Sequence, residues 1–177
     1  MPVATRPQRG VITSVSVVTG MDHFGATVSD MERSLAFWKD LLGLEEVGRG
    51  VIEWEHIDRL VALEDTKLEW VELRVPGGGR VELMEYHRPV SEAAVPMGQE
   101  NEPGRSHLSL LVDDLDALMA ELGAAGVRAR TPEPVDMVVG AYAGGKGAYV
   151  FDPDGVQIEL IQRARPATAD GTHEGKG

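Results

Sequence analysis

The chain contains its own opening motif twice. Met21-Asp22-His23-Phe24-Gly25-Ala26-Thr27-Val28-Ser29-Asp30-Met31 returns, degenerate, as Arg105-Ser106-His107-Leu108-Ser109-Leu110-Leu111-Val112-Asp113-Asp114-Leu115. A short apolar strand carrying one carboxylate follows each copy. Val81-Glu82-Leu83 comes 59 residues after the first histidine, and Ile158-Glu159-Leu160 comes 52 after the second. A duplicated unit must fold the same way twice, so each half presents one His near its start and one Glu near its end. Together they supply two imidazoles and two carboxylates, a coordination shell suited to a divalent cation.

The hydropathy pattern gives both halves one plan. In the first, a strand near 21–28 leads to a helix capped by Ser29 or Asp30, with Leu35, Trp38, Leu41 and Leu42 at helical spacing. Gly43 stops it. A strand over 44–47, a strand-like piece over 51–54 and a turn or short helix near 56–63 follow. Lys67 to Val75 alternates as a strand does, and Pro76-Gly77-Gly78-Gly79 turns it into Arg80 to Tyr86. The second half predicts a strand over 107–112, a helix from Leu115 to Ala125 capped by Asp113 or Asp114, short strands over 127–130 and 135–139, a glycine loop over 144–147, and two strands joined by Asp152-Pro153-Asp154-Gly155. The reading is an α+β chain of two tandem βαβββ modules forming a curved mixed sheet around a metal-binding cavity. Its divisions are an N-terminal arm over 1–12, a first module over 13–88, a linker over 89–104, a second module over 105–162 and a flexible tail over 163–177.

Composition removes other classes. The net charge of -12 leaves no basic patch of the kind that tracks phosphates, so nucleic acid is not an expected partner. No apolar run is long enough to cross a membrane and no apolar core follows the basic residues at the N-terminus, so a cytoplasmic protein is expected. There is no cysteine, so a metal site must be built from His, Asp and Glu.

Strand alternation places the four candidates. His23 shares a face with Gly25 and Thr27, and Glu82 with Met84 and Tyr86. His107 shares a face with Ser109 and Leu111, and Glu159 with Gln157 and Ile161. The opposite faces are apolar, except for Glu85. The sheet therefore has a dry side for the helix and a polar side for a cavity. Imidazole nitrogen and carboxylate oxygen suit Zn, Ni, Fe, Mn or Co, whereas an all-oxygen calcium site is disfavoured.

These motifs, with Phe37-Trp38 and Leu41-Leu42-Gly43-Leu44, make residues 21 to 161 resemble the vicinal oxygen chelate superfamily. Its members include glyoxalase I, methylmalonyl-CoA epimerase, extradiol dioxygenases, and fosfomycin- and bleomycin-resistance proteins. The resemblance implies that His23, Glu82, His107 and Glu159 are metal ligands, in the pattern of glyoxalase I. The epimerase usually has Gln where this chain has Glu82. The dioxygenases use positions matching His23, His107 and Glu159, and the bleomycin-binding members lack the ligands. The expected function is metal-dependent proton transfer next to a carbonyl, a lactoylglutathione lyase-like isomerisation or an epimerisation through an enediolate-type intermediate, with Glu82 or Glu159 as base. Two alternatives stand beside it: an extradiol-type dioxygenase using Fe(II), and a non-catalytic protein that binds a drug. The expected partners are a small-molecule substrate and, from the resemblance, a second copy in a homodimer. Further substrate candidates are Trp54, His56, Arg105 and Lys146. Trp70 reads as core or pocket.

Overall fold

The computed structural model describes residues 18–91, 93 and 98–165. The arm over 1–12, the centre of the linker and most of the tail lie outside the described residues.

The first module runs β1 (Phe24–Val28), α1 (Met31–Leu35, continued by π-type turns over Ala36–Leu41), β2 (Glu45–Ile52), α2 (Glu55–Val61), β3 (Lys67–Arg74) and β4 (Arg80–Arg88). The second runs β5 (Leu108–Leu111), α3 (Leu115–Ala124), β6 (Val135–Met137), a single turn at Gly140–Tyr142, β7 (Gly145–Phe151) and β8 (Gln157–Gln162). They build two separate four-stranded sheets, ordered β1-β4-β3-β2 and β5-β8-β7-β6. In each, the first strand pairs parallel with the last and the other pairings are antiparallel. The α+β class and the twofold βαβββ plan are those expected.

Three local differences have physical causes. The two pieces expected over 44–47 and 51–54 are one strand, β2, with a bulge between Glu46 and Gly48. Gly48-Arg49-Gly50 lacks the side chains that make a strand legible. The stretch 127–130 contributes only a bridge, Ala129 with Val150. The first helix changes pitch: Leu42 N–H donates to Phe37 O, a five-residue step. That step lets the consecutive Phe37 and Trp38 both turn inward, where their rings meet edge to face at 5.4 Å.

Both helix starts are capped twice. Asp30 accepts from Arg33 N–H and Asp114 from Ala117 N–H, through side-chain oxygens at 2.9 and 3.0 Å. In addition Glu85 accepts from Met31 N–H at 2.8 Å, and Gln162 from Leu115 N–H at 2.6 Å. Glu85 and Gln162 each stand three residues beyond the strand glutamate, so this strut is itself part of the repeat. It also accounts for the acid on an otherwise apolar face.

The helix sides of both sheets feed one core, which includes Val28, Trp38, Leu73 and Leu83 from the first module and Leu115, Val150, Ile158 and Leu160 from the second. Asp152 and Asp154 carry polar contacts between the modules. Asp154, in the β7–β8 turn, accepts from Ser29 N–H and from Arg33. Those donors hold its carboxyl below the usual range although burial works the other way. Asp152 accepts from Trp38 Nε1 at 3.3 Å and, through its other oxygen, from the backbone N–H groups of Asp154 and Val156. Burial raises the Asp152 carboxyl.

Candidate metal centre

β1 and β4 run parallel with Gly25 opposite Glu82, and β5 and β8 run parallel with Ser109 opposite Glu159. Each histidine sits just before its first strand, on the same face as the glutamate next door. The repeat therefore closes twice into the same pair. His23 Nε2 lies 3.3 Å from Glu82 Oε2, and His107 Nε2 lies 3.4 Å from Glu159 Oε2.

That spacing suits a shared cation. Two donors each about 2.1 Å from one ion lie roughly 3.0 Å apart at a right angle and roughly 3.4 Å apart at the tetrahedral angle. The first pair carries a second sign. His23 Nδ1–H donates to Asp22 Oδ2 at 2.9 Å, which fixes the tautomer and turns the Nε2 lone pair toward the Glu82 carboxylate. Two electron-rich atoms facing one another at this distance require a proton or a cation between them. Both imidazoles are 37 % exposed, so this side of each pair is open to a further ligand.

The supports of the two pairs have diverged. In the first module Arg80 donates to Asp22 at 2.6 Å and to Glu72 at 3.2 Å. Glu72 stands directly across from Glu82, so the arginine offsets two neighbouring carboxylates. Its bond and that from His23 hold the Asp22 carboxyl below the usual range. In the second module the position across from Glu159 is Tyr149. Its hydroxyl donates to Glu159 Oε1 at 3.0 Å, and its ring meets His107 edge to face at 5.3 Å. Burial, then the bond to Glu159, pushes the phenol up to about 12, so it remains a donor through the physiological range. The sequence suggested no role for Asp22, Glu72 or Tyr149; Arg80, close enough in sequence to pair with Glu82, pairs instead with Asp22 and Glu72. Glu72 and Tyr149 stand across the sheet from the two glutamates, a position that strand register reveals and sequence spacing does not.

The two pairs stay apart within one chain: among the described residues, no three His, Cys, Asp or Glu side chains gather at a metal-binding distance.

The other candidates are dispersed. Trp54 and His56, at the start of α2, are exposed. They lie beyond the Ile52–Leu68–Tyr86 row, which is roughly 13 Å along the strands from Glu82. Arg105 pairs with Glu102. Lys146 projects from the opposite face of β7 to Tyr149 and pairs with Asp116 of α3, a bond that raises its ammonium above the usual range. It is turned away from Glu159. Trp70, undecided from sequence, lies on the ligand-pair face, in the row Gly50–Trp70–Met84–Thr27 next to the row Gly48–Glu72–Glu82–Gly25.

Two sheets of this topology, each holding one His–Glu pair, define a known class. The profile of the Glyoxalase/Bleomycin resistance protein/Dioxygenase superfamily matches residues 20–160, and the chain belongs to that superfamily. A curated protein of Actinomyces sp, 2-epi-5-epi-valiolone epimerase, is 29% identical over 159 residues, covering 86% of this chain and 82% of that protein. Among solved structures, a glyoxalase family protein from Bacillus cereus superposes with a TM-score of 0.72 at 22% identity, covering 84% of this chain and 97% of its own. A fosfomycin resistance protein from Listeria monocytogenes, solved with Mn(II) and sulfate, superposes with a TM-score of 0.53 at 18% identity, covering 85% of this chain and 96% of its own. No helix among the described residues is long and apolar enough to cross a membrane.

Proposed function

We propose that this chain is a divalent-metal-dependent epimerase that moves a proton on the carbon next to a ketone in a small polyhydroxylated ring. One observation carries the reading: the repeat delivers two His–Glu pairs with the same spacing, 3.3 and 3.4 Å. The four-ligand pattern by itself is that of glyoxalase I; the epimerase relative is what favours epimerisation here. The four donors His23, Glu82, His107 and Glu159 suit Mn, Fe, Co, Ni or Zn. An ion bound there supplies a Lewis acid that draws electron density from a carbonyl oxygen and acidifies the neighbouring C–H.

The proton steps fall to the carboxylates. Glu159 is held by Tyr149 through one oxygen and faces His107 with the other, so it is the fixed member. Glu82 receives no such bond from its cross-strand neighbour Glu72 and is the freer base. Glu82 takes the proton from one face of the carbon, and the second carboxylate, Glu159, protonated from solvent, returns a proton to the opposite face of the same carbon. The configuration inverts with no net redox change and no second substrate.

A homodimer completes the site in this proposal, the first module of one copy facing the second module of its partner. Such an arrangement gives two four-donor sites per dimer and accounts for pairs that remain separate in a single chain.

The test is exchange of solvent deuterium into 2-epi-5-epi-valiolone, followed by NMR with chelated protein and after addition of Mn(II), Co(II), Ni(II) or Zn(II). Exchange at the carbon beside the carbonyl, restored by metal, is the expected result. Metal-loaded protein that exchanges no proton in this ketone would sink the reading. The hemithioacetal of methylglyoxal and glutathione serves as the contrast substrate, and its faster turnover would return the assignment to a glyoxalase.

A further inference from the structure

We propose that Trp70 is a stacking platform for the substrate, and that it selects an uncharged ring with a C–H or aromatic face. For its chemical setting the proposal rests on the reading above.

The indole lies flat on glycine. A Cβ at Gly50 would stand 2.9 Å from Trp70 Nε1, and one at Gly48 would stand 3.1 Å from Trp70 Cζ3. Two glycines within one strand weaken it, and here they make a recess that only a strand without side chains can offer. A third glycine extends the surface: a Cβ at Gly25 would stand 3.2 Å from Met84 Cε. Trp70 and Met84 are cross-strand neighbours, the indole lying over the β2 glycines and the thioether over Gly25, so this face offers two low, polarisable surfaces side by side.

The patch adjoins the first His–Glu pair. Trp70 is one strand over and two residues along from Glu82, roughly 8 Å between Cα atoms by strand geometry. A six-membered ring resting on the indole can therefore reach the pair with its substituents. The guanidinium beside the patch, Arg80, is already shared by Glu72 and Asp22, so it does not offer itself to an anionic ligand. The surface thus favours a neutral ligand. Nor does the fold need this ring for its core: Trp38 is the fully buried tryptophan, packed on the helix side, while Trp70 is only part-buried on the other face.

Tryptophan fluorescence reads the proposal directly. Trp54→Phe removes the exposed indole and leaves Trp70 as the ligand-sensitive one, since Trp38 is fully buried. In that background the ketone of the exchange assay should perturb the emission saturably. Trp70→Leu should weaken binding and raise KM about ten-fold with kcat nearly unchanged. Bound metal per chain should stay the same, and Trp70→Phe, which keeps an aromatic face, should fall between. A KM in Trp70→Leu within about two-fold of the parent overturns the platform. So does a parent protein whose emission the ketone leaves unperturbed. A Trp70→Leu variant that loses subunit association but keeps its per-site affinity also overturns it, because the ring is then an interface residue. If the ketone binds through Trp70 but exchanges no proton, the platform stands and the epimerase reading falls. If it exchanges and Trp70→Leu is indifferent, the reverse holds.

Discussion

His23→Ala and His107→Ala each remove one imidazole from a different module, and in a homodimer with shared sites each variant should lose both of its metal ions. Both histidines are well exposed, so either change should alter folding stability by no more than about 0.5 kcal/mol. Loss of metal can then be read as loss of a ligand. Mixing the two variants has a different outcome if the site is shared. In a mixed dimer, one site takes His23 and Glu82 from the His107→Ala copy and His107 and Glu159 from the His23→Ala copy. That site has all four donors, and the other has no imidazole. Random reassociation makes roughly half the dimers mixed with one of two sites intact, so metal per chain should recover to about one quarter of the parent value. Mixed dimers isolated through two different tags should reach about one half. The assay is elemental analysis after co-refolding and gel filtration, with proton exchange measured on the same fractions. The basis is the pair of separations, 3.3 and 3.4 Å, together with the failure of the pairs to meet within one chain. No recovery in isolated mixed dimers would refute the shared site.

Asp22→Ala frees the His23 ring and leaves Arg80 with one carboxylate fewer; metal affinity, by competition with a chromophoric chelator, should fall about ten- to hundred-fold. Tyr149→Phe removes the bond to Glu159 and should cost about ten-fold in the same titration. Asp152→Asn turns an amide N–H toward Trp38 Nε1–H while the two backbone donors keep one acceptor, so urea unfolding should show a loss of about 1–3 kcal/mol. Because burial raises the Asp152 carboxyl, its favourable contribution is present below the unfolded value near 3.8 and is lost as pH rises through the folded one. The deficit of the variant should therefore shrink from acid to neutral pH. Ser34→Ala removes a fully buried hydroxyl without a partner from a helix, and should leave stability unchanged or raise it by about 0.5–1 kcal/mol in the same unfolding assay.

The fold was legible wherever the repeat carried side chains. Asp30 and Asp114 could be read as caps, and Gly43 and Gly126 as stops, because a left-handed residue ends each helix at those positions, with φ of 73° and 78°. Legibility failed where glycine replaced side chains. Gly48-Arg49-Gly50 looked like a gap between two strand fragments, yet it is the centre of β2, and the missing Cβ atoms are what seat Trp70. Glu85 looked like an error of alternation. Its role, shared with Gln162, depends on a helix N-terminus brought over the sheet by the parallel β1–β4 and β5–β8 pairings, which no local pattern encodes.

The candidate site divides along the same line. Each His–Glu pair was predictable because the motif repeats and because alternation assigns faces. What surrounds the pairs was hidden, since the positions across from the two glutamates hold unlike residues, Glu72 in one half and Tyr149 in the other. Duplication preserved the four donors while their supports diverged. One half orients its imidazole through an Asp22–Arg80–Glu72 chain of charges; the other fixes its carboxylate through a phenol. In a symmetric metal seat the two carboxylates would be interchangeable. Here one is tethered and the other is not, so a symmetric set of donors acquires a fixed side and a mobile side. The proposed epimerisation uses both, because one carboxylate takes the proton from one face of the carbon while the other returns a proton to the opposite face.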